Sequence, residues 1–464
     1  MISRLLITIS IFFLISSAYS QPDSLWSRTY GGVNIDVCTS AQQTTDGGYI
    51  LAGYTQSGDT DFWIVKTDIN GDSVWSRTYG GNGDERCYCV QQTSDTCYVL
   101  TGFTDSYDGE IGYGDFWLVK TNRNGDVLWS QTYGEGYSDY CQTVTETFDG
   151  GFALAGYTMT YDSDWEFWLV KTNSNGDCLW SHTFGSDGPD QCYSMQQTSD
   201  SGFVLAGYTG TIDWPDVRLI RTDASGDVLW NRTFGGGIDQ CRSVKQTIDG
   251  GFILTGDRWI LKTDANGDSL WSYIYDGWRY FNCVWETIDG GYVLGGTTSS
   301  SGVGGEDFEL IKTSAMGDNL WSRTFGGSES DGCSMIQQTT DGGFILVGST
   351  WSYGNGNSDF WLVKTGPDPL GVIDGFAPMP TSISLSAFPN PFNSELTLDV
   401  SGFSREVRVS LLNVLGQEVE LIHEGVLAGN RIHYAAPATM SSGLYFVKAE
   451  DARNVRTEKV VFLK

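Results

Sequence analysis

The chain has 464 residues, of which only 18 % are charged, while 14 % are aromatic and 59 are glycine. This composition is typical of tightly turned β-structure and excludes a disordered chain. The formal net charge of −30 disfavours nucleic acid as a partner, because an acidic surface repels the phosphate backbone.

Residues 1–20 have the features of a secretory signal peptide. One basic residue, Arg4, precedes an apolar run that ends in the small-residue segment Ala18-Tyr19-Ser20. This pattern predicts export, with cleavage after Ser20. No later segment is apolar over 18 residues, so the sequence predicts no transmembrane anchor once the signal peptide has been removed.

Residues 21–366 repeat one pattern seven times. Each copy combines a Cys-containing strand ending in QQT, a DGG turn, a strand such as YILAGYT, a strand such as FWLVKT, and an NGD turn before a tryptophan. The Asp-Gly and Asn-Gly pairs supply the positive φ that tight hairpins need. A period near 50 residues with this strand content predicts four-stranded propeller blades. The anchoring tryptophans are Trp26, Trp75, Trp129, Trp180, Trp230, Trp271 and Trp321.

The phase of the repeat predicts how the ring closes. The repeats begin with a lone fourth strand, Ser24–Tyr30, and end with a unit that has only the first three strands, the last being Phe360–Thr365. We therefore expect the N-terminal strand to complete the last blade of a seven-bladed β-propeller. Six or eight blades, or two smaller sheets, are the alternatives.

The segment KTDxNGDxxW, with Gly71 and Trp75 in one copy, resembles the tryptophan-docking motif of quinoprotein-type propellers. In that family the tryptophan packs between blades. Over residues 24–366 the repeat also resembles the Gly/Trp-rich propeller repeats of secreted bacterial proteins. Both resemblances concern blade construction, and the quinone site and its metal ligands have no counterpart in this sequence.

The C-terminal part reads as a linker followed by a second domain. Residues 367–382 contain four prolines and are interpreted as a linker. Residues 383–464 contain Pro389-Asn390-Pro391-Phe392, Gly443-Leu444-Tyr445 and a terminal run Lys459–Lys464, in an order that resembles the type IX secretion (Por) sorting domain. The resemblance implies the type IX secretion machinery as a partner and a secreted or outer-surface location. Alternating apolar residues independently predict a small immunoglobulin-like β-sandwich, and a generic module of that kind is the alternative.

The repeats offer little of the usual catalytic chemistry. His182 is their only histidine, and no Walker loop, HExxH or Cys-x-x-Cys motif occurs. The sequence therefore predicts a protein that is not an enzyme. Six cysteines in register are predicted to be buried core residues, because equivalent side chains around a ring cannot face each other as a disulfide requires. They are Cys38, Cys87, Cys141, Cys192, Cys241 and Cys333.

One carboxylate recurs shortly before the in-register cysteine, where the innermost strand opens. A ring would bring these residues towards the mouth of the central channel, where they could hold a cation such as calcium or a polar ligand. Alternatively, each caps its own loop through backbone amides. No other cofactor is expected. The sixth repeat departs from the pattern, with a shortened loop and Arg279. The six carboxylates are Asp36, Asp84, Asp139, Asp190, Asp239 and Asp331.

A second acidic segment, Asp68–Asp72, resembles a calcium loop, but it lacks the remaining ligands and is interpreted as a hairpin turn.

The loops of variable length lie on one face of the predicted propeller and carry exposed aromatic residues. Such side chains can stack on sugar rings or anchor a protein partner. We therefore predict an exported, surface-associated, non-enzymatic binding or adhesion protein with a glycan or protein ligand. A carboxylate-based polysaccharide hydrolase or lyase and a purely structural surface-layer component are the alternatives. The candidate contact residues are Tyr107, Tyr113, Tyr161, Trp165, Trp214, Trp278, Tyr280, Trp351 and Tyr353.

Overall fold

The computed structural model divides the chain into two compact units, Met1–Val372 and Ile373–Lys464. The residues that the structure describes form strands and no helix. The predicted signal peptide and nearly all of the predicted linker lie outside these residues. The described residues are 23–107, 113–134, 137–161, 164–210, 215–235, 240–287, 289–367, 384–388, 392, 394–401, 406–413, 417–426, 431–437, 440–450 and 455–462.

The first unit consists of seven antiparallel four-stranded sheets, the blades of a propeller. Blade 1 comprises β2 (Ile35–Gln43), β3 (Tyr49–Gln56), β4 (Thr60–Thr67) and β5 (Ser73–Tyr79). Blades 2 to 4 comprise β6 (Glu85–Gln92), β7 (Tyr98–Thr104), β8 (Asp115–Thr121) and β9 (Val127–Tyr133), then β10 (Asp139–Glu146), β11 (Phe152–Met159), β12 (Trp165–Thr172) and β13 (Cys178–Phe184), then β14 (Asp190–Gln197), β15 (Phe203–Thr209), β16 (Asp216–Thr222) and β17 (Val228–Phe234). Blades 5 and 6 comprise β18 (Cys241–Gln246), β19 (Phe252–Gly256), β20 (Trp259–Thr263) and β21 (Ser269–Ile274), then β22 (Arg279–Glu286), β23 (Tyr292–Thr298), β24 (Asp307–Thr313) and β25 (Asn319–Phe325).

Blade 7 joins the two ends of the repeat region. It comprises β26 (Asp331–Gln338), β27 (Phe344–Thr350), β28 (Asp359–Thr365) and the N-terminal strand β1 (Ser24–Tyr30). β1 lies antiparallel to β28, with Ser27 opposite Val363 and Thr29 opposite Trp361. The predicted seven-bladed fold, with its N-terminal strand completing the last blade, is confirmed.

The first strands of the blades are innermost, because each contacts the first strand of the next blade and β26 contacts β2. The QQT motif links them by a ladder of side chain to backbone hydrogen bonds. The Gln92 amide donates to Gln42 Oε1 at 2.6 Å, and the Thr45 amide donates to Gln92 Oε1 at 2.8 Å. Between blades 7 and 1 the Gln43 amide donates to Gln337 Oε1 at 2.7 Å. The ladder thus continues across the junction that closes the ring.

The repeated tryptophans pack between blades, as the resemblance to the tryptophan-docking motif implies. A Cβ placed on Gly71, which has φ +79°, would lie 2.6 Å from the indole of Trp26 in the preceding blade. Trp26 also meets Tyr49 edge-on, with ring centroids 5.8 Å apart. Six tryptophans dock on turn glycines in this way: Trp26 on Gly71, Trp75 on Gly125, Trp129 on Gly176, Trp180 on Gly226, Trp230 on Gly267 and Trp271 on Gly317.

Each blade also contains a buried cation that the sequence analysis did not foresee. In blade 1, Lys66 of β4 reaches Asp46 in the DGG turn at 3.0 Å and donates to the carbonyl of Thr67 at 2.7 Å. A buried ammonium needs such partners, because an unpaired charge is costly in the interior. The seven pairs are Lys66–Asp46, Lys120–Asp95, Lys171–Asp149, Arg221–Asp200, Lys262–Asp249, Lys312–Asp289 and Lys364–Asp341.

The six in-register cysteines are at most 1 % exposed, which confirms their prediction as core residues. All ten cysteines are free thiols in the structure. After each in-register position the first strand is bulged, so that one residue, for example Thr39 between Cys38 and Ser40, is skipped in the residue pairing with the second strand.

The C-terminal unit is a sandwich of a three-stranded and a four-stranded sheet around one apolar core, as predicted. Leu398, Val409 and Val460 belong to this core, and the ring of Phe392 lies 5.1 Å from that of Phe462. Its strands are β29 (Ser384–Phe388), β30 (Glu395–Ser401), β31 (Glu406–Leu412), β32 (Glu418–Val426), β33 (Arg431–Ala435), β34 (Gly443–Glu450) and β35 (Val455–Phe462).

The direction of the strands gives the propeller two different faces. Connections from one blade to the next, and those between second and third strands, emerge on what we call the loop face. The DGG and NGD turns emerge on the opposite turn face. Neighbouring connections on the loop face are hydrogen-bonded to each other, as from the Asp105 amide to the carbonyl of Asp84 at 3.2 Å.

Candidate ligand-binding face

The carboxylates that open the first strands lie in the seams between blades and accept hydrogen bonds from their own loops. Asp36 is 3 % exposed and accepts from the Gly32 amide at 3.1 Å, and Asp331 is fully buried and accepts from the Gly327 amide at 2.8 Å. This geometry matches the loop-capping alternative. Asp139 is likewise buried, and Asp239 lies outside the described residues.

Asp190 has a cationic partner in addition. Its Oδ2 lies 2.9 Å from Arg218 and accepts from the hydroxyl of Ser186 at 2.8 Å, and both members of the ion pair are buried. Arg218 stands on the third strand of the same blade, and its guanidinium also donates to the carbonyl of Phe184. Asp190 is therefore engaged within the fold.

Asp84 does not belong to this set, and Glu85 takes its place. Asp84 lies three residues before Cys87, is half-exposed and accepts from the Thr60 amide at 3.1 Å. Glu85 lies two residues before Cys87, is fully buried and accepts from Thr104 Oγ1 at 2.9 Å. A shift of one residue along a strand reverses the side-chain direction. The prediction was wrong here because it required an aspartate.

A second acid, from the third strand of the preceding blade, shares most of these seams. Asp307 and Asp331 flank Gly326, whose added Cβ would lie 1.7 Å and 2.9 Å from their oxygens. Burial raises the pKa of Asp307, and the charge of Asp331 raises it further. Asp359, which accepts from the Asn355 amide at 2.7 Å, has its pKa raised by burial and then by Asp36.

In blade 6 the cation Arg279 takes the place of the carboxylate that opens the first strand of other blades. The shortened connection is Asp257-Arg258, between β19 and β20 of blade 5, whereas Arg279 opens the first strand of blade 6. Arg279 donates to Glu309 at 2.8 Å, and this carboxylate is 1 % exposed. Burial raises the pKa of Glu309, while the Arg279 hydrogen bond and charge lower it, and the raised value is the net result. A buried ion pair thus replaces the loop cap.

In the part of the chain that the structure describes, no three His, Cys, Asp or Glu residues lie close enough together to hold a metal ion. The segment Asp68–Asp72 is a hairpin turn, as interpreted. Asp68 Oδ1 accepts from the amides of Asn70 at 2.8 Å and Asp72 at 2.9 Å.

Two predicted contact residues are built into their own loops. Tyr107 lies with its ring centroid 5.3 Å from that of Trp117, and its hydroxyl donates to the carbonyl of Gly80 at 2.8 Å. Tyr353 repeats this arrangement in blade 7, against Trp361 at 5.1 Å and the carbonyl of Gly326 at 2.8 Å. Each ring therefore packs on the tryptophan of the third strand, and each hydroxyl is hydrogen-bonded to the neighbouring connection.

Three other predicted residues lie in two groups of contacting rings on blades 2 and 3. Tyr137 lies between Tyr113 and Tyr161, with ring centroids 5.9 and 6.5 Å apart. Trp165, the first residue of β12, contacts the ring of Tyr140 at 5.8 Å and that of Tyr157 at 5.1 Å. We call these six residues the aromatic patch: Tyr113, Tyr137, Tyr140, Tyr157, Tyr161 and Trp165.

The residues of the patch differ in their exposure to solvent. Tyr161 is 84 % exposed and Tyr113 is 42 % exposed. Tyr140 and Tyr157 are half-buried, and the ring of Tyr140 stacks on Phe103 at 4.8 Å, with the planes 10° apart. Burial raises the pKa of Tyr157 far above its usual range, with neighbouring tyrosines adding to the effect. Its phenol therefore stays neutral.

The remaining predicted contact residues do not join the patch through ring contacts. Trp278 is 72 % exposed and Trp351 is 50 % exposed, while Tyr280 is half-buried on β22. Trp214 lies outside the described residues.

Tyr137, Tyr140 and Tyr157 were not among the contact residues predicted from the sequence. Tyr140 precedes the in-register cysteine and Tyr157 lies in the AGYT strand, so both were assigned to blade construction. The missed signal was the variation at these repeat positions, where blade 3 has two tyrosines and blade 7 has Gly332 and Ser349. Variation at an otherwise repeated position marks a place where one blade differs in what it presents.

Comparison with known families identifies the C-terminal part. Residues 386–463 match the model described as "Secretion system C-terminal sorting domain". The chain therefore carries a type IX sorting domain behind a propeller, and it is an exported protein of the outer cell surface. No helix of the described residues has the length and apolar character needed to cross a membrane.

A search of curated proteins finds no match. Solved structures that match include a Bacteroides caccae protein of unknown function, with 14 % identity, 59 % of this chain and 93 % of that chain covered, and a TM-score of 0.40. They also include the Neurospora crassa Pan2 WD40 domain, with 10 % identity, coverages of 75 % and 95 % and a TM-score of 0.48. YCF48 bound to D1 peptide matches with 8 % identity, coverages of 76 % and 96 % and a TM-score of 0.45.

Proposed function

We propose that this protein is a non-enzymatic binding or adhesion protein that holds a glycan or protein ligand at the cell surface through its loop face. The observation that carries the proposal is the aromatic patch. Its exposed rings, such as Tyr161, contact neighbouring rings, so part of their conformational freedom is already lost before binding. Recognition by loops on a repetitive scaffold is common in proteins of this shape.

A glycan array probed with the exported protein, with and without calcium, tests the sugar branch. We expect Tyr161→Ala and Trp165→Ala to abolish any glycan signal. The matched control is Phe148→Ala in the same blade, because Phe148 is 70 % exposed in the DGG turn on the opposite face. Equal loss of signal in Phe148→Ala, or no glycan signal in either condition, would contradict the sugar branch.

A carboxylate-based polysaccharide hydrolase is the second candidate, favoured by the pair Asp307 and Asp331 and the raised pKa of Asp307. Against it, both carboxylates are buried and accept loop amides, Asp307 from Val303 at 2.7 Å and Asp331 from Gly327 at 2.8 Å. Reducing-sugar release from a polysaccharide panel that disappears in Asp307→Asn would establish this alternative.

A further inference from the structure

The propeller already contains an arginine stacked on a tyrosine between two blades. Tyr54 follows Gly53 on the second strand of blade 1, and Arg86 precedes Cys87 on the first strand of blade 2. The guanidinium carbon of Arg86 lies 5.8 Å from the centre of the Tyr54 ring. A cation at this distance is attracted by the electron-rich face of the ring.

The repeat places Tyr157 in blade 3 at the position that Tyr54 holds in blade 1. The residue equivalent to Arg86 in the following blade is Gln191, which carries no charge. Between blades 1 and 2, therefore, a cation lies against this tyrosine. Between blades 3 and 4, the equivalent position carries the uncharged Gln191. The half-buried ring of Tyr157 belongs instead to the aromatic patch.

The surroundings of the patch are acidic. Between Arg123 and Lys171 the sequence contains no lysine or arginine. Asp164 and Glu166 lie on either side of Trp165 and are half-buried, and Asp164 accepts from the amides of Trp165 at 3.0 Å and Gly188 at 3.2 Å. Arg86, on the first strand of blade 2, lies against Tyr54 and Asp84. Arg218 of blade 4 lies 5.4 Å from the centre of the Phe167 ring, but it is buried and paired with Asp190. Rings combined with carboxylates, with these arginines already paired within the fold, complement a positively charged ligand.

We propose that the aromatic patch binds arginine side chains of a partner protein, which stack on Tyr161, Trp165 and their neighbours. The planar guanidinium combines stacking on the rings with attraction to the negative charge of this part of the chain. A neutral glycan would use the rings and leave the carboxylates without a role, and an anionic partner would be repelled. This inference rests on the proposed function and specifies the ligand class.

The test measures binding of the intact exported protein to a short Gly-Arg repeat peptide at about 0.15 M salt, where long-range attraction is screened. The same peptide with citrulline in place of arginine keeps the shape and loses the charge. We expect arginine-dependent binding that weakens roughly 3- to 30-fold in Tyr161→Ala and in Trp165→Leu. Phe148→Ala, which removes a 70 % exposed ring on the turn face, serves as the matched control and should bind normally.

The possible results distinguish failure of the arginine inference from failure of the proposed function. Equal binding of the arginine and citrulline peptides would overturn the arginine inference. Binding of the arginine peptide that is unchanged in both patch variants would also overturn it, because such binding would reflect only the overall negative charge of the protein. Patch-dependent binding of a neutral oligosaccharide without peptide binding would overturn the arginine inference and leave the proposed function standing. Binding of neither probe would contradict both.

Discussion

Buried charges on single residues are satisfied within each blade of this propeller. Lys312 is the most deeply buried example, with no side-chain exposure, and it contacts Asp289 at 2.9 Å, the hydroxyl of Thr287 at 2.9 Å and the carbonyl of Thr313 at 3.1 Å. Because the ammonium has three partners, its burial is compensated. The structure explains why every repeat keeps a Lys or Arg before the threonine that ends its third strand.

Removing this cation should destabilise the protein. Lys312→Met leaves Asp289 partly buried without its cation, and we expect a loss of about 2 kcal/mol in the free energy of unfolding at neutral pH. Chemical denaturation measures it. The matched control is Arg232→Met, whose pair with Asp268 is solvent-exposed, and which should cost about 0.5 kcal/mol or less. Equal losses in the two variants would contradict the distinction between buried and exposed pairs.

The effect of Lys312→Met should depend on pH with a defined sign. Burial acts to raise the pKa of Asp289, but hydrogen bonds from Thr287 and Lys312 and the lysine charge outweigh it, so the folded-state pKa is lowered. The stabilisation is therefore complete above the unfolded pKa of about 4 and is lost as pH falls through the folded value. Unfolding measured from about pH 7 down to about pH 3 should show the variant and wild type converging.

At the level of elements, the tryptophan–glycine contacts hold neighbouring blades together. Gly125 has φ +83° and lies under Trp75, so that an added Cβ would be 2.8 Å from the indole. Gly150 has nearly the same φ, +81°, and nothing within 4 Å of an added Cβ. An alanine would therefore meet the same backbone strain at both positions, but only at position 125 would its Cβ overlap a neighbouring side chain.

We expect Gly125→Ala to cost about 1 to 3 kcal/mol more than Gly150→Ala, because only the first substitution overpacks a contact between blades. Both pay the similar penalty of an alanine at positive φ. Thermal or denaturant unfolding of the two variants supplies the comparison. Equal costs would show that backbone strain alone decides, and that the tryptophan contact contributes nothing measurable.

Most elements could be predicted from the sequence because the repeat states them seven times. The DGG and NGD turns fix the hairpins, and the split repeat predicts the pairing of Ser24–Tyr30 with the last blade. The pairs such as Lys66–Asp46 were not predicted, because their partners lie 13 to 25 residues apart and meet only in the folded blade.

The candidate site was predicted only in part, for two different reasons. Tyr113, Tyr161 and Trp165 were identified from their variable loops, whereas Tyr140 and Tyr157, which lie opposite each other on two strands of blade 3, were assigned to blade construction. Glu85 was missed because a search for aspartate passed over the residue that has the right direction on the strand. Register, rather than residue type, decides which side chain enters a seam.

At the scale of the whole molecule, the C-terminal domain directs export, and the propeller forms the face that is proposed to bind a ligand. The sorting domain of residues 386–463 accounts for export to the outer surface. The propeller unit gathers loops from seven blades onto one face, which requires a closed ring. In that ring the loop connection before β2 lies beside the loop of blade 7, with the Asp36 amide donating to the carbonyl of Ser358 at 2.7 Å.

Hydrogen–deuterium exchange of the N-terminal strand tests ring closure most directly. The internal standard is β5, the equivalent outermost strand of blade 1, which is similarly exposed along its length. If Ser24–Tyr30 pairs with Asp359–Thr365, its amides should exchange as slowly as those of Ser73–Tyr79. Exchange of Ser24–Tyr30 at the rate of an unpaired chain, with Ser73–Tyr79 still protected, would contradict the closed ring and the shared face built on it.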